Sequence, residues 1–288
     1  MPATSSLPVT KERRGGNVLP LLCYGGVLGA SLLLLMAGVR GHWLAAVLFG
    51  LGLFHGGLDR ENGRLVLPGW GYSATYLFVA LAMVGVMIFN PLAGLVGFFA
   101  LSVWHVARES GHRAGDRIAG AGEALALVGG SALLRPNETF LLVESIAGRG
   151  SEAIVVLLGG AGVGAVLLTL WSMVRRSPLA PALAISFVGY AFLPPLVAIG
   201  AAFLAFHALP RVVELIGEAG WRQGWRLGAL GLVALAGATF LIVGMTQGWW
   251  SAALLAAVLI GLATPHMLLD RTLREEGTAE PNREGRAP

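Results

Sequence analysis

The chain has 288 residues, 56% of them hydrophobic and only 12% charged, and its mean hydropathy is +0.73. Ordinary soluble domains carry roughly 25% charged residues, so this composition excludes a soluble enzyme and points to a polytopic membrane protein. The net charge of +4 does not signal nucleic acid, because the basic residues fall between apolar stretches, where lipid headgroups and topology account for them.

Residues 1–17 are polar and basic for longer than a signal-peptide n-region and lack an A-x-A cleavage site, so they read as a short cytoplasmic tail. Apolar stretches then recur near 18–39, 43–58, 70–89, 92–107, 118–134, 152–174, 179–193, 195–217, 225–246 and 249–269. Each is expected to be a helix, because a chain in lipid must satisfy its backbone internally. The expected fold is all-α: a bundle of about ten transmembrane helices over residues 18–270, with eight or nine as the alternative. That alternative arises because Pro194 and Pro195 could interrupt one long helix rather than separate two. Residues 271–288 are rich in charge, Gly and Pro and read as a disordered cytoplasmic tail. The single cysteine, Cys23, excludes a disulfide framework and any thiolate metal site.

Charge arbitrates the span count. With ten spans and a cytoplasmic N-terminus, every Lys and Arg falls on the inner side except Arg40, Arg135 and Arg149, a strong positive-inside bias. Fusing the two proline-flanked spans would move Arg222 and Arg226 outside. In this topology both termini are cytoplasmic and the chain belongs in the plasma (inner) membrane.

Of six histidines, His55, His105, His207 and His266 fall past the midpoints of the second, fourth, eighth and tenth spans, which all run outward to inward. They form one expected layer in the cytoplasmic half of the bilayer, whereas His42 lies at the outer boundary and His112 in an inner loop. A lone histidine in an apolar helix is more often hydrogen-bonded to a neighbouring helix than a ligand. Four together change the balance, because each buried imidazole is expensive without a partner and a shared metal would partner them all. With no thiolate available, an all-imidazole site suits Fe(II), Cu or Zn.

The stretches FHGGLD (54–59), WHVARES (104–110), FHALPR (206–211) and TPHMLLD (264–270) resemble, in order, the histidine motifs of the Brp/Blh family of integral-membrane β-carotene 15,15′-dioxygenases. Glu123, Gly129-Gly130, Arg135-Pro136 and Phe140 are similar to that family's middle segment, and the resemblance covers roughly residues 45–270. It implies oxidative cleavage of the central double bond of β-carotene, or a related carotenoid, by dioxygen to give retinal, at a non-haem iron held by His55, His105, His207 and His266. The carotenoid and dioxygen would come from the surrounding lipid, and a rhodopsin is a conceivable consumer of the retinal. One departure stands out. The family places a second histidine four residues after the one matched by His207, and this chain has Arg211 there, which cannot act as a ligand. His266 could complete the set, the site could have three histidines, or the chain could be a paralogue with changed chemistry.

Asp59, Glu109 and Asp270 each follow a candidate ligand by four residues, one helical turn, and could accept its free ring N–H. Such residues are more often solvated helix ends. Glu123 lies inside its span, a more expensive position. Phe54, Trp104, Tyr190, Phe203 and Phe206 flank the histidines and could line a polyene channel, although interhelical packing is the default for each. Two further readings stay open: a transmembrane haem protein with paired axial histidines, and a carotenoid-binding or transport relative that leaves its ligand intact. No nicotinamide, flavin or nucleotide motif occurs.

The topology is directly testable. Reporters or single cysteines placed after residues 62, 115, 176, 220 and 275 are expected to be cytoplasmic, and a periplasmic signal after residue 220 would instead make 179–217 one helix.

Overall fold

The computed structural model describes residues 19–53, 59–61, 64–66, 70–177, 179–210, 212–213, 232–233, 236–237 and 239–278. The helices are α1 (Leu19–Met36), α2 (Gly41–Leu53), α3 (Trp70–Phe89), α4 (Pro91–Ala114), α5 (Arg117–Leu134), α6 (Pro136–Ala147), α7 (Ser151–Val174), α8 (Ala180–Phe192), α9 (Pro195–Ala202) and α10 (Ala252–Thr278). A π-helical segment, Phe203–Ala208, continues α9, and residues 239–246 are also helical. Strands β1 (Asp59–Glu61) and β2 (Arg64–Val66) form a small antiparallel hairpin in which Arg60 faces Leu65.

Among the described residues, four stretches are long and apolar enough to cross a membrane: Pro91–His112, Arg117–Leu134, Ser151–Val174 and Ala252–Leu269. Helix α8 has 13 residues. At 1.5 Å per residue it reaches only about 20 Å, short of the roughly 30 Å hydrocarbon core.

Local chemistry explains the helix ends. Asn90 caps α4 by accepting from the Ala93 amide, and Pro91 at the first position has no N–H that needs a partner. The same helix stops at Gly115, whose φ of 64° is accessible to glycine without strain. Asp116 then caps α5 through the amides of Ile118 and Ala119. Burial alone would raise its carboxyl, but the Ser177 hydroxyl, those two amides and the nearby Arg175 outweigh it and hold the group below its ordinary value. Leu193, in extended conformation, separates α8 from α9, so the two prolines do interrupt the helix.

Three elements differ from the sequence reading. Residues 136–147 form α6 rather than part of a loop, a short helix that mixes apolar residues with Asn137, Glu138, Thr139, Glu144 and Ser145. Helix α4 runs to Ala114, so His112 lies in its last turn and not in a loop. The segment 271–278, expected to be disordered, continues α10 to Thr278; Leu273, Arg274, Glu275 and Glu276 are good helix formers.

The interior has two apolar groups. One gathers Tyr24, Leu44, Leu48, Tyr190, Val197 and Phe206 from α1, α2, α8, α9 and the π segment. The other gathers Met87, Leu95, Val128, Ile154, Leu158 and Ile260 from α3, α4, α5, α7 and α10. Glycine sets the closest helix approaches. A side-chain carbon at Gly129 of α5 would collide with the backbone of Gly162 in α7, and one at Gly120 would collide with Gly111 in α4. The second contact draws α4 and α5 together at the level where their polar side chains meet.

Candidate metal centre

Three histidines converge where the two apolar groups join. His105 projects from α4 and His266 from α10, elements of the second group, while His207 comes from the π segment of the first. The rings of His105 and His207 have centroids 5.3 Å apart, those of His105 and His266 5.1 Å apart, and both pairs meet edge to face. One nitrogen from each of the three imidazoles lies within 4.8 Å of the others. Two metal–imidazole bonds of about 2.1 Å to a shared ion reach nearly that far, so modest ring rotations bring all three to one ion. His105 and His207 are buried and His266 is half-buried.

Backbone irregularities aim two of these rings. In the π segment the Leu209 amide bonds to Leu204 O, five residues back, which inserts one residue into the turn that carries His207. Phe203 stacks on the His207 ring at 5.4 Å, and Phe206 stacks on Tyr24 at 4.7 Å. In α10, Pro265 precedes His266 and cannot donate a helical hydrogen bond. Beside that interruption the Tyr76 hydroxyl of α3 donates to Leu262 O at 2.6 Å. Ser102 of α4 approaches the Met267 sulfur at 3.6 Å, tying α4 to α10 next to His266.

Two carboxylates lie close by. Glu109, one turn beyond His105 on α4, places Oε2 3.5 Å from His105 Nε2 and 3.5 Å from His207 Nδ1. The i+4 spacing anticipates the first contact. The second depends on how the π segment packs against α4. Glu123 of α5 is 5% exposed and accepts a hydrogen bond from Ser110 Oγ at 2.7 Å. Ser110 did not stand out in the sequence, although it follows Glu109 directly.

The other candidates separate. His55 and Phe54 lie outside the described residues, as do Arg211 and the side chains of Asp59 and Asp270. Asp59 belongs to strand β1 and not to a helical turn beyond His55, so the helical spacing argued for it does not hold. Trp104 is exposed, with the Arg108 guanidinium 5.8 Å from its ring centre, on a different side of α4 from buried His105. Tyr190 is buried and, with Phe206 and His207, lines a small cavity. His42 sits beside Trp43 at the start of α2, and His112 is exposed; neither joins the cluster.

The family model for beta-carotene 15,15'-dioxygenase matches residues 45–274. The chain belongs to this family. The match takes in all four histidine stretches and Arg211. No curated protein and no solved structure matches the chain. For a member of the beta-carotene 15,15'-dioxygenase family, the donor set fits a borderline divalent ion: three imidazoles, with carboxylate beside two of them, in an apolar surround.

Metal titration of the protein in lipid nanodiscs checks this geometry. Alanine at His105, His207 or His266 is expected to abolish tight Fe(II) binding, and Glu109→Gln to weaken it about 10- to 100-fold, the range typical of groups that orient metal ligands. His112→Ala should bind as the wild type does. Equal losses for His112→Ala and His266→Ala would show that the cluster is not the metal site.

Proposed function

We propose that this protein is a membrane-embedded, iron-dependent dioxygenase that cleaves the central double bond of β-carotene, or of a related carotenoid, to retinal. The observation that carries this reading is the convergence of His105, His207 and His266 in a chain of the beta-carotene 15,15'-dioxygenase family. The stoichiometry is closed: one C=C bond and one O2 become two C=O bonds, so no external reductant is needed. Bound Fe(II) would supply open coordination positions for dioxygen and the electrons to activate it.

The protein's part is to hold, orient and enclose. His105, His207 and His266 hold the ion, and His55 is the proposed fourth ligand. Support for His55 comes from α2, which packs on the π segment: a side chain at Gly52, three residues before His55, would overlap the Phe203 ring that stacks on His207. Glu109 orients His105 and His207 together, fixing which ring nitrogens remain for the ion. Asp270, one helical turn beyond His266 in α10, is proposed to do the same for His266. Glu123, held by Ser110, lies with His207 on the wall of a small cavity beside the site. Phe203, half-buried beside His207, presents an aromatic surface suited to a polyene.

The four span-length helices among the described residues support a membrane-embedded chain, and the arginine distribution favours ten spans with both tails at the cytoplasmic face of the plasma membrane. The His105 ring meets those of His207 and His266 edge to face at 5.3 and 5.1 Å, an arrangement that supports one shared ion rather than a macrocycle held between axial ligands. Arg211, in place of the expected histidine, is proposed to be compensated by His266.

Expression in a β-carotene-producing bacterium tests the reading. The wild-type chain should bleach the cells and accumulate retinal, Arg211→Ala should retain iron and most of the yield, and His266→Ala should lose both. Unchanged pigment with the wild type, together with retinal formation by Arg211→His, would make this chain a non-cleaving relative.

A further inference from the structure

A small cavity opens against the side of His207 served by a different set of helices from those that bring in His105 and His266. Its walls come from α5 (Glu123, Ala126, Leu127), α8 (Leu183, Ser186, Tyr190) and the α9–π junction (Ala202, Phe206, His207). His207 is therefore shared between the histidine cluster and the cavity.

Size decides which reactant it can take. Only about 10 Å³ of the cavity can hold the centre of a water-sized molecule. Sites for drug-sized ligands run to about 300–1,000 Å³, so a C40 polyene does not fit here and must approach the cluster elsewhere. A diatomic gas or a single water does fit.

Chemistry separates these two. Ala126, Leu127, Leu183, Ala202 and Phe206 supply apolar walls. Four polar side chains, Glu123, Ser186, Tyr190 and His207, also stand in the wall, but they turn almost none of their polar surface to the space; Ser186 donates its hydroxyl proton to Leu183 O at 2.6 Å, and Glu123 Oε1 accepts from Ser110. A trapped water needs two to four polar partners, whereas a nonpolar gas needs none. The gas also partitions into apolar surroundings and can arrive through the bilayer without crossing water.

We propose that this cavity is the dioxygen site of the protein, which holds the gas beside His207 while the carotenoid approaches the cluster from another direction. This assignment rests on the dioxygenase reading above.

The test has two arms, and the first needs neither metal nor turnover. In metal-free, methyl-labelled protein in nanodiscs, dissolved oxygen is a paramagnetic probe. Its relaxation enhancement should be several-fold larger at the methyls of Ala126 and Ala202 than at Ala119 and Ala45, which are also buried but do not line the cavity. Equal enhancements, or a water cross-peak at Ala202 without enhancement, would overturn the proposal and assign the cavity to water or to nothing. In the second arm Ala126→Val and, separately, Ala202→Leu shrink the cavity. Each should raise KM for dioxygen several-fold and leave KM for the carotenoid unchanged, while an unchanged KM for dioxygen in a folded variant would count against the site. Retinal formation with a flat relaxation profile would refute the cavity assignment alone. A strong relaxation signal without retinal formation would refute the dioxygenase reading and leave the gas cavity standing.

Discussion

Polar groups buried among apolar helices must find partners, and that requirement organises this molecule. His105, His207, Glu123 and Ser110 are buried among largely apolar helices, with Glu109 nearly so and His266 half-buried. Each would be costly alone in such surroundings. Set together they partner one another: Ser110 serves Glu123, Glu109 sits between His105 and His207, and the three imidazoles share one small volume that suits a cation. The cluster also joins the two apolar halves of the bundle, because its members come from both.

The packing that makes this possible is unusually close, and the backbone departs from regular helix where the site needs it. Gly111 against Gly120 lets α4 and α5 approach until Ser110 meets Glu123, and Gly129 against Gly162 locks α5 onto α7 behind them. The π turn presents His207 to α4 and leaves Phe203 stacked on its ring. Pro265 interrupts α10 just before His266, and the Tyr76 hydroxyl supports the neighbouring carbonyl. Irregular backbone of this kind persists in apolar surroundings only when neighbouring groups restore the lost hydrogen bonds.

Much of this was legible in the sequence, for physical reasons. Long apolar runs can only be helices in lipid, so the positions of α1, α3, α5 and α7 follow hydropathy closely. Ionisable residues stand out against such a background, so His105, His207 and His266 were visible before their distances were known. The helix α6 was not legible, because twelve residues with a proline and two glutamates resemble a loop. Nor was the contact between Glu109 and His207: it crosses from α4 to the π segment, and no periodicity along one helix predicts it. The hairpin of β1 and β2 shows the limit of the turn-spacing argument, since Asp59 keeps its distance along the chain from His55 but not the helical geometry that would give that distance meaning.

X-ray absorption at the iron edge of the Fe(II)-loaded protein tests the central claim most directly, namely that one ion is shared by His105, His207 and His266. The wild-type spectrum should show imidazole outer-shell scattering and no sulfur ligand, and both His105→Ala and His266→Ala should retain iron only weakly, with fewer imidazole nitrogens around it. An unchanged imidazole count in His266→Ala, or a signal from a porphyrin, would contradict it.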